Sequence, residues 1–128
     1  MPKEVLLIDD DPDELEILTD ALHAVDKTIT CAQTKSLSEA LEYLKHNSPG
    51  YIFIDLNMPT ANGVNHLSEL KKLGISGKSK IVVYSPYIDD AIQQRAIDLG
   101  AYRVIKKPNM IDLLARKLKE VLQADKDF

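Results

Sequence analysis

Val5-Leu6-Leu7-Ile8-Asp9-Asp10-Asp11-Pro12-Asp13-Glu14 is an apolar run that stops abruptly in a cluster of carboxylates and then opens a helix. Four consecutive apolar residues with β-branched members suit a strand buried on both faces. Asp11 is placed as an N-cap, Pro12 suits the first helical position, and Glu14 stands where a capping-box acid belongs. Leu15, Leu18, Ala21, Leu22 and Val25 then recur at helical spacing. The stretch reads as one strand–helix unit with its charge concentrated at the strand's carboxyl end.

The same unit repeats outward along the chain. A short strand rich in β-branched residues is expected over 28–32, followed by a helix opened by the capping pair Ser36 and Glu39 and closed near Asn47-Ser48-Pro49-Gly50. Residues 51–55 form an apolar strand ending in Asp55, and 64–73 a helix closed by Gly74. A strand at 80–84 ends beside Ser85, and a helix over 89–99 closes at Gly100. The last unit is a strand at 102–105, running into Lys106-Lys107-Pro108, with a helix over 109–123 that turns Ile111, Leu114, Leu118, Val121 and Leu122 inward. Tight alternation of this kind implies right-handed crossovers and a parallel sheet with helices on both faces, a three-layer doubly wound α/β domain.

Bulk composition narrows the function. The chain has 128 residues, 45% hydrophobic and 28% charged, enough for one buried core. A net charge of −4 without a Lys/Arg tract gives no reason to expect direct nucleic-acid binding. The opening apolar run is too short for a signal peptide or membrane span, and the single cysteine, Cys31, forms no intrachain disulfide, so a cytoplasmic protein with no membrane association is expected. Cys31 falls in a strand and reads as a small core residue. His23, His46 and His66 fall on expected helices at no metal-binding spacing. Only Ala124–Phe128 follow the last helix, so a single domain over 1–128 without an output domain is expected.

In a parallel α/β sheet, chemistry collects outside the carboxyl ends of the strands. That edge carries Asp9 and Asp10, then Asp55, Ser85 and Lys107. Adjacent carboxylates repel unless a cation compensates, and Mg2+ takes one or two carboxylates together with waters and phosphate oxygens. Asp11 and Asp13 read instead as acids complementing the helix dipole. Asp55, the only group in its strand charged at neutral pH, reads as a metal ligand or a nucleophile, against the plainer alternative of a loop cap. Lys107 can neutralise it, and Ser85 can donate a hydrogen bond to it.

These residues resemble the motifs of the response regulator receiver domain, the phosphoacceptor module of two-component signalling. The resemblance lies in Ile8-Asp9-Asp10, Asp55-Leu56-Asn57-Met58-Pro59 with Gly63, Ser85, Gly100-Ala101 and Lys107-Pro108, and covers nearly the whole chain. It implies a flavodoxin-like (βα)5 fold with sheet order 2-1-3-4-5. It implies further that Asp55 is the phosphoacceptor, Asp10 a direct Mg2+ ligand, Asp9 a ligand acting largely through water, and the Asn57 backbone carbonyl another metal oxygen. Ser85 takes the hydroxyl position that senses the phosphoryl group, and Lys107 the lysine position, with a cis peptide before Pro108. The implied partners are a sensor histidine kinase or histidine phosphotransfer domain and a downstream protein. No enzymatic activity beyond self-phosphorylation and self-dephosphorylation is implied.

Two positions depart from the family pattern. Pro86 follows Ser85, where the family has a residue whose backbone N–H donates to the phosphoryl group; proline has none. Val104 stands at the aromatic switch position, with Tyr102 on the same strand face by alternation and Tyr84 and Tyr87 flanking the site. These departures keep open a pseudo-receiver, a binding module indifferent to phosphate. A third reading is a small aspartate-nucleophile phosphatase of the haloacid-dehalogenase type, using Asp9 and Asp11 as a D-x-D pair.

Overall fold

A computed structural model describes residues 3–56 and 63–123. Five strands alternate with five helices: β1 (Glu4–Ile8), α1 (Pro12–Val25), β2 (Thr30–Thr34), α2 (Leu37–Leu44), β3 (Tyr51–Ile54), α3 (Gly63–Lys72), β4 (Lys80–Ser85), α4 (Asp90–Asp98), β5 (Arg103–Lys106) and α5 (Ile111–Gln123), with one 3-10 turn at Ile75–Gly77. All neighbours pair in parallel, in the order β2-β1-β3-β4-β5. Strand alternation divides the core in two. Val5, Leu7, Tyr51, Phe53, Val82, Tyr84 and Ile105 face α1 and α5. Leu6, Ile8, Ile52, Ile54, Ile81 and Val83 face Ala40 of α2, Leu67 and Leu70 of α3 and Ala96 of α4. Both sides of the central strands are dry, as their unbroken apolar sequences require.

The element boundaries follow from capping chemistry. Asp11 accepts from the Asp13 N–H at 2.9 Å and Ser36 from the Glu39 N–H at 3.2 Å, so both expected N-caps start their helices. Helix α4 ends in a Schellman turn: Gly100 adopts φ 98°, its N–H reaches Ile97 O at 3.0 Å, and the Ala101 N–H reaches Ala96 O at 3.0 Å.

Several expectations shift. Strand β2 begins at Thr30 rather than 28, because Asp26 Oδ1 accepts from both the backbone N–H (2.9 Å) and the hydroxyl (2.6 Å) of Thr28 and holds it in a turn. Ile111 opens α5 at 47% exposure, leaving Leu114, Leu118, Val121 and Leu122 to bury its apolar face. His46 lies beyond α2 rather than on it. Tyr102 precedes β5, so alternation does not reach it. It packs in the α1/α5 core edge-on to Tyr51, while Val104 packs on the opposite face of the sheet. Its neighbours are the Lys80 ammonium at 4.9 Å and the Arg103 guanidinium at 4.3 Å. Tyr102 therefore does not stand in for an aromatic residue at 104.

Candidate functional site

Each site residue lies where a strand runs out, and each backbone is pinned by the neighbouring strand. The Asp9 N–H donates to Thr34 O of β2 at 3.1 Å, and the Asp55 N–H donates to Ile8 O of β1 at 3.1 Å. The Lys107 N–H donates to Ser85 O of β4 at 2.9 Å. The ladders thus continue one step past the strands and set three side chains from distant segments over one end of the sheet.

Lys107 is the hub. Its ammonium donates to Asp9 Oδ2 at 2.9 Å and to Asp55 Oδ2 at 3.1 Å, and it lies 3.5 Å from Glu14 Oε1. It also sits 4.7 Å from the centre of the Tyr84 ring. Ser85, fully buried, donates its hydroxyl to Asp55 Oδ1 at 2.8 Å and accepts from the Leu56 N–H at 2.8 Å. Both oxygens of Asp55 are therefore engaged, by a neutral donor on one and a cation on the other.

The electrostatics are out of balance. Asp9 is 1% exposed, and burial raises its pKa against the opposing pull of the Asp11 N–H and of Lys107; the nearby Asp55 charge pushes the same way as burial. Burial also works to lower the Lys107 pKa, but the Asp9 hydrogen bond and the charges of Asp55, Asp9 and Glu14 outweigh it and the net shift is upward. Tyr84 is pushed up by burial first and by the Glu14 and Asp9 charges next, so it stays a neutral phenol. Three carboxylates crowd one ammonium.

The structure brings Asp9, Asp55, Ser85 and Lys107 together as expected. Asp10, the next residue after Asp9, is exposed and takes no part in this network. Asn57 lies outside the described residues. The peptide before Pro108, expected cis, is trans, the conformation X–Pro bonds favour by about 0.5–1 kcal/mol. Two contributors escaped the sequence reading. Gln33 donates from Nε2 to Asp9 O at 2.7 Å and to Asp11 O at 2.8 Å, clamping the acidic turn from β2. Glu14 was expected as a capping-box acid and faces Lys107 instead. Its only sequence signal was an acid one helical turn from the aspartate cluster.

Among the described residues, no three His, Cys, Asp or Glu side chains are gathered tightly enough to form a finished metal cage. The donor chemistry nonetheless fits a hard cation that retains waters: two buried carboxylates already share one positive group, with negative charge to spare. Among the described residues, too, no helix is long and apolar enough to cross a membrane.

Comparison with known proteins agrees with this geometry. The family model of the response regulator receiver domain matches residues 5–119. The chain is 27% identical over 120 residues to a probable C4-dicarboxylate response regulator, DctR, of Bacillus subtilis, covering 94% of this chain but only 52% of that protein. It is 27% identical over 122 residues to a probable chemotaxis protein CheY of Rhizobium etli, covering 94% of this chain and 93% of that one. Among solved structures, the phosphorylated cyanobacterial phytochrome response regulator RcpA superposes with a TM-score of 0.82 at 22% identity, over 96% of this chain and 93% of that one, a likeness of fold.

Proposed function

The chain belongs to the response regulator receiver family, and from that premise we propose that Asp55 accepts a phosphoryl group from a phosphohistidine of a partner kinase or phosphotransfer domain. The observation that carries this reading is the pairing of both Asp55 oxygens, with Ser85 on one and Lys107 on the other. A carboxylate oxygen of Asp55 attacks phosphorus, the O–P bond forms as the P–N bond breaks, and the imidazole leaves. Lys107 turns from the carboxylate to a phosphoryl oxygen as charge develops there, and the Ser85 hydroxyl donates to another. Pro86 offers no N–H, so one customary donor is missing.

Asp9, Asp10 and Asp55, with the Asn57 carbonyl, would hold Mg2+. When bound, Mg2+ supplies a second positive charge that offsets the phosphoryl oxygens. The buried position of Asp9 beside the shared lysine supports this assignment. Output is by contact with a downstream protein in the cytoplasm, without catalysis on other substrates. Against the phosphatase reading, Asp11 spends its carboxylate on the Asp13 N–H and is exposed, leaving Asp9 without the second acid of a D-x-D pair.

The test is incubation with Mg2+ and acetyl phosphate, followed by intact mass and peptide mapping. One added phosphate on Asp55, absent from Asp55→Asn, is the expected result. A wild-type chain that stays unmodified would point to a pseudo-receiver, and phosphatase activity lost in Asp9→Asn but retained in Asp55→Asn would revive the enzyme.

A further inference from the structure

We propose that Glu14 is a positioning residue for Lys107, a third carboxylate that keeps the ammonium paired when a cation or phosphoryl group claims the oxygens of Asp9 and Asp55. In a capping box, the acid three residues into a helix accepts from the N-cap backbone N–H. In α1 that N–H, from Asp11, donates to Asp9 Oδ1 at 3.0 Å. Glu14 is thereby released from capping. Its side chain is 16% exposed, its Oε1 lies 3.5 Å from Lys107 Nζ, and its Oε2 is buried without a formed hydrogen bond, although the carboxylate lies close enough to the Tyr84 hydroxyl to help raise the tyrosine's pKa.

The three contacts are graded. At 2.9 and 3.1 Å, Asp9 and Asp55 hold the lysine in formed hydrogen bonds, whereas Glu14 stands back. Charge-assisted N–H···O bonds run ~2.7–2.9 Å, so a movement of ~0.6–0.8 Å would close the Glu14 pair. Any cation bound between Asp9 and Asp55 competes for the oxygens that Lys107 now holds. A half-buried ammonium, 12% exposed at its side chain, would be costly to leave without either partner. Glu14 provides a second berth within reach, so the lysine exchanges partners instead of losing them. The Tyr84 ring lies 4.7 Å from the same ammonium. Phosphoryl capture then draws Lys107 back from Glu14.

The experiment is calorimetric titration of the full chain with Mg2+, comparing wild type, Glu14→Gln, Glu14→Asp, Lys107→Ala and the Lys107→Ala/Glu14→Gln double variant. Glu14→Gln should weaken Mg2+ binding about fivefold, Glu14→Asp should fall between, and in the Lys107→Ala background Glu14→Gln should change the affinity less than about twofold. Equal losses in both backgrounds would mean that Glu14 acts as bulk charge, and would overturn the proposal. So would an unchanged affinity in Glu14→Gln, or no Mg2+ binding by the wild-type chain. If Glu14→Gln does not fold, as judged by its thermal transition, Glu14→Asp compared between the wild-type background and an added Lys107→Ala/Glu14→Asp variant decides in the same way. The inference rests on the phosphoacceptor reading only for the return of Lys107 to the phosphoryl group. Failure of that reading appears separately, as a wild-type chain that binds Mg2+ but takes no phosphate on Asp55.

Discussion

Two lysine–aspartate clusters sit at opposite ends of the sheet, and they are built differently. At the amino end, just before β1, Lys3 donates to Asp26 at 2.5 Å, and Asp26 also accepts from the N–H and hydroxyl of Thr28. The Lys3 hydrogen bond, with those from Thr28, holds the Asp26 carboxyl well below the usual carboxylate range. At the carboxyl end, Lys107 is divided among Asp9, Asp55 and Glu14, and burial raises the Asp9 carboxyl from its ordinary value. The first cluster saturates its carboxylate with donors and closes a turn. The second carries more negative charge than its protein partners neutralise, the kind of surplus that the proposed cation and phosphoryl site requires.

The largest effect should come from removing the hub. Lys107→Ala should slow acetyl-phosphate labelling of Asp55 by about 100-fold, the scale seen when one transition-state charge stabiliser is lost. Lys3→Ala should leave the rate within about twofold. Similar rates in the two variants, measured by phosphoprotein mass spectrometry, would erase the distinction between the clusters.

A smaller effect tests how far the carboxyl end of the sheet falls short of the family pattern. Pro86→Ala restores a backbone donor beside Ser85, and a hydrogen bond to a charged group is worth about 1.5 kcal/mol or more. The phosphorylated form should therefore last about tenfold longer. An unchanged dephosphorylation rate would remove the missing donor as an explanation.

The smallest effect sharpens the contrast through stability. Without Mg2+, Asp9→Asn should raise the thermal midpoint by about 3–5 °C, the shift that ~1 kcal/mol gives a domain of this length, whereas Asp26→Asn should lower it. The pH dependences have opposite sign. Asp9, raised in the folded state, contributes stability at low pH that is lost as pH climbs through its folded value, so the advantage of the Asp9→Asn variant should shrink on acidification. Asp26, depressed in the folded state, contributes stability above the ordinary value of ~3.9 that is lost as pH falls through its own lower value. Urea unfolding of both variants across the acid range would show the two trends diverging, or refute the assignment.

Much of the site could be read from the chain because it is made of strand ends. Buried parallel strands announce themselves as apolar runs, and whatever polar residue terminates a run lies at the functional edge. Asp9, Asp55, Ser85 and Lys107 were all found by that route. Errors arose where local chemistry competed with pattern. The β-branched residues near 28 suggested strand, but an Asp26-centred turn captured Thr28 first. Alternation carried back from β5 misassigned Tyr102, which lies just outside the strand and on the other face from Val104.

Periodicity and capping residues, which act over a few neighbours, were enough to specify the alternation of elements, the two-faced core and the polar groups at the strand ends. Which carboxylates share the lysine was decided only when segments more than fifty residues apart were brought into register. Glu14 shows the difference: its sequence position calls for a cap, yet the Asp11 N–H it would serve is taken by Asp9, and the lysine it faces arrives from β5. Local hydrogen-bond propensities are encoded along the chain, but the competition among distant charges for one shared ammonium exists only in three dimensions.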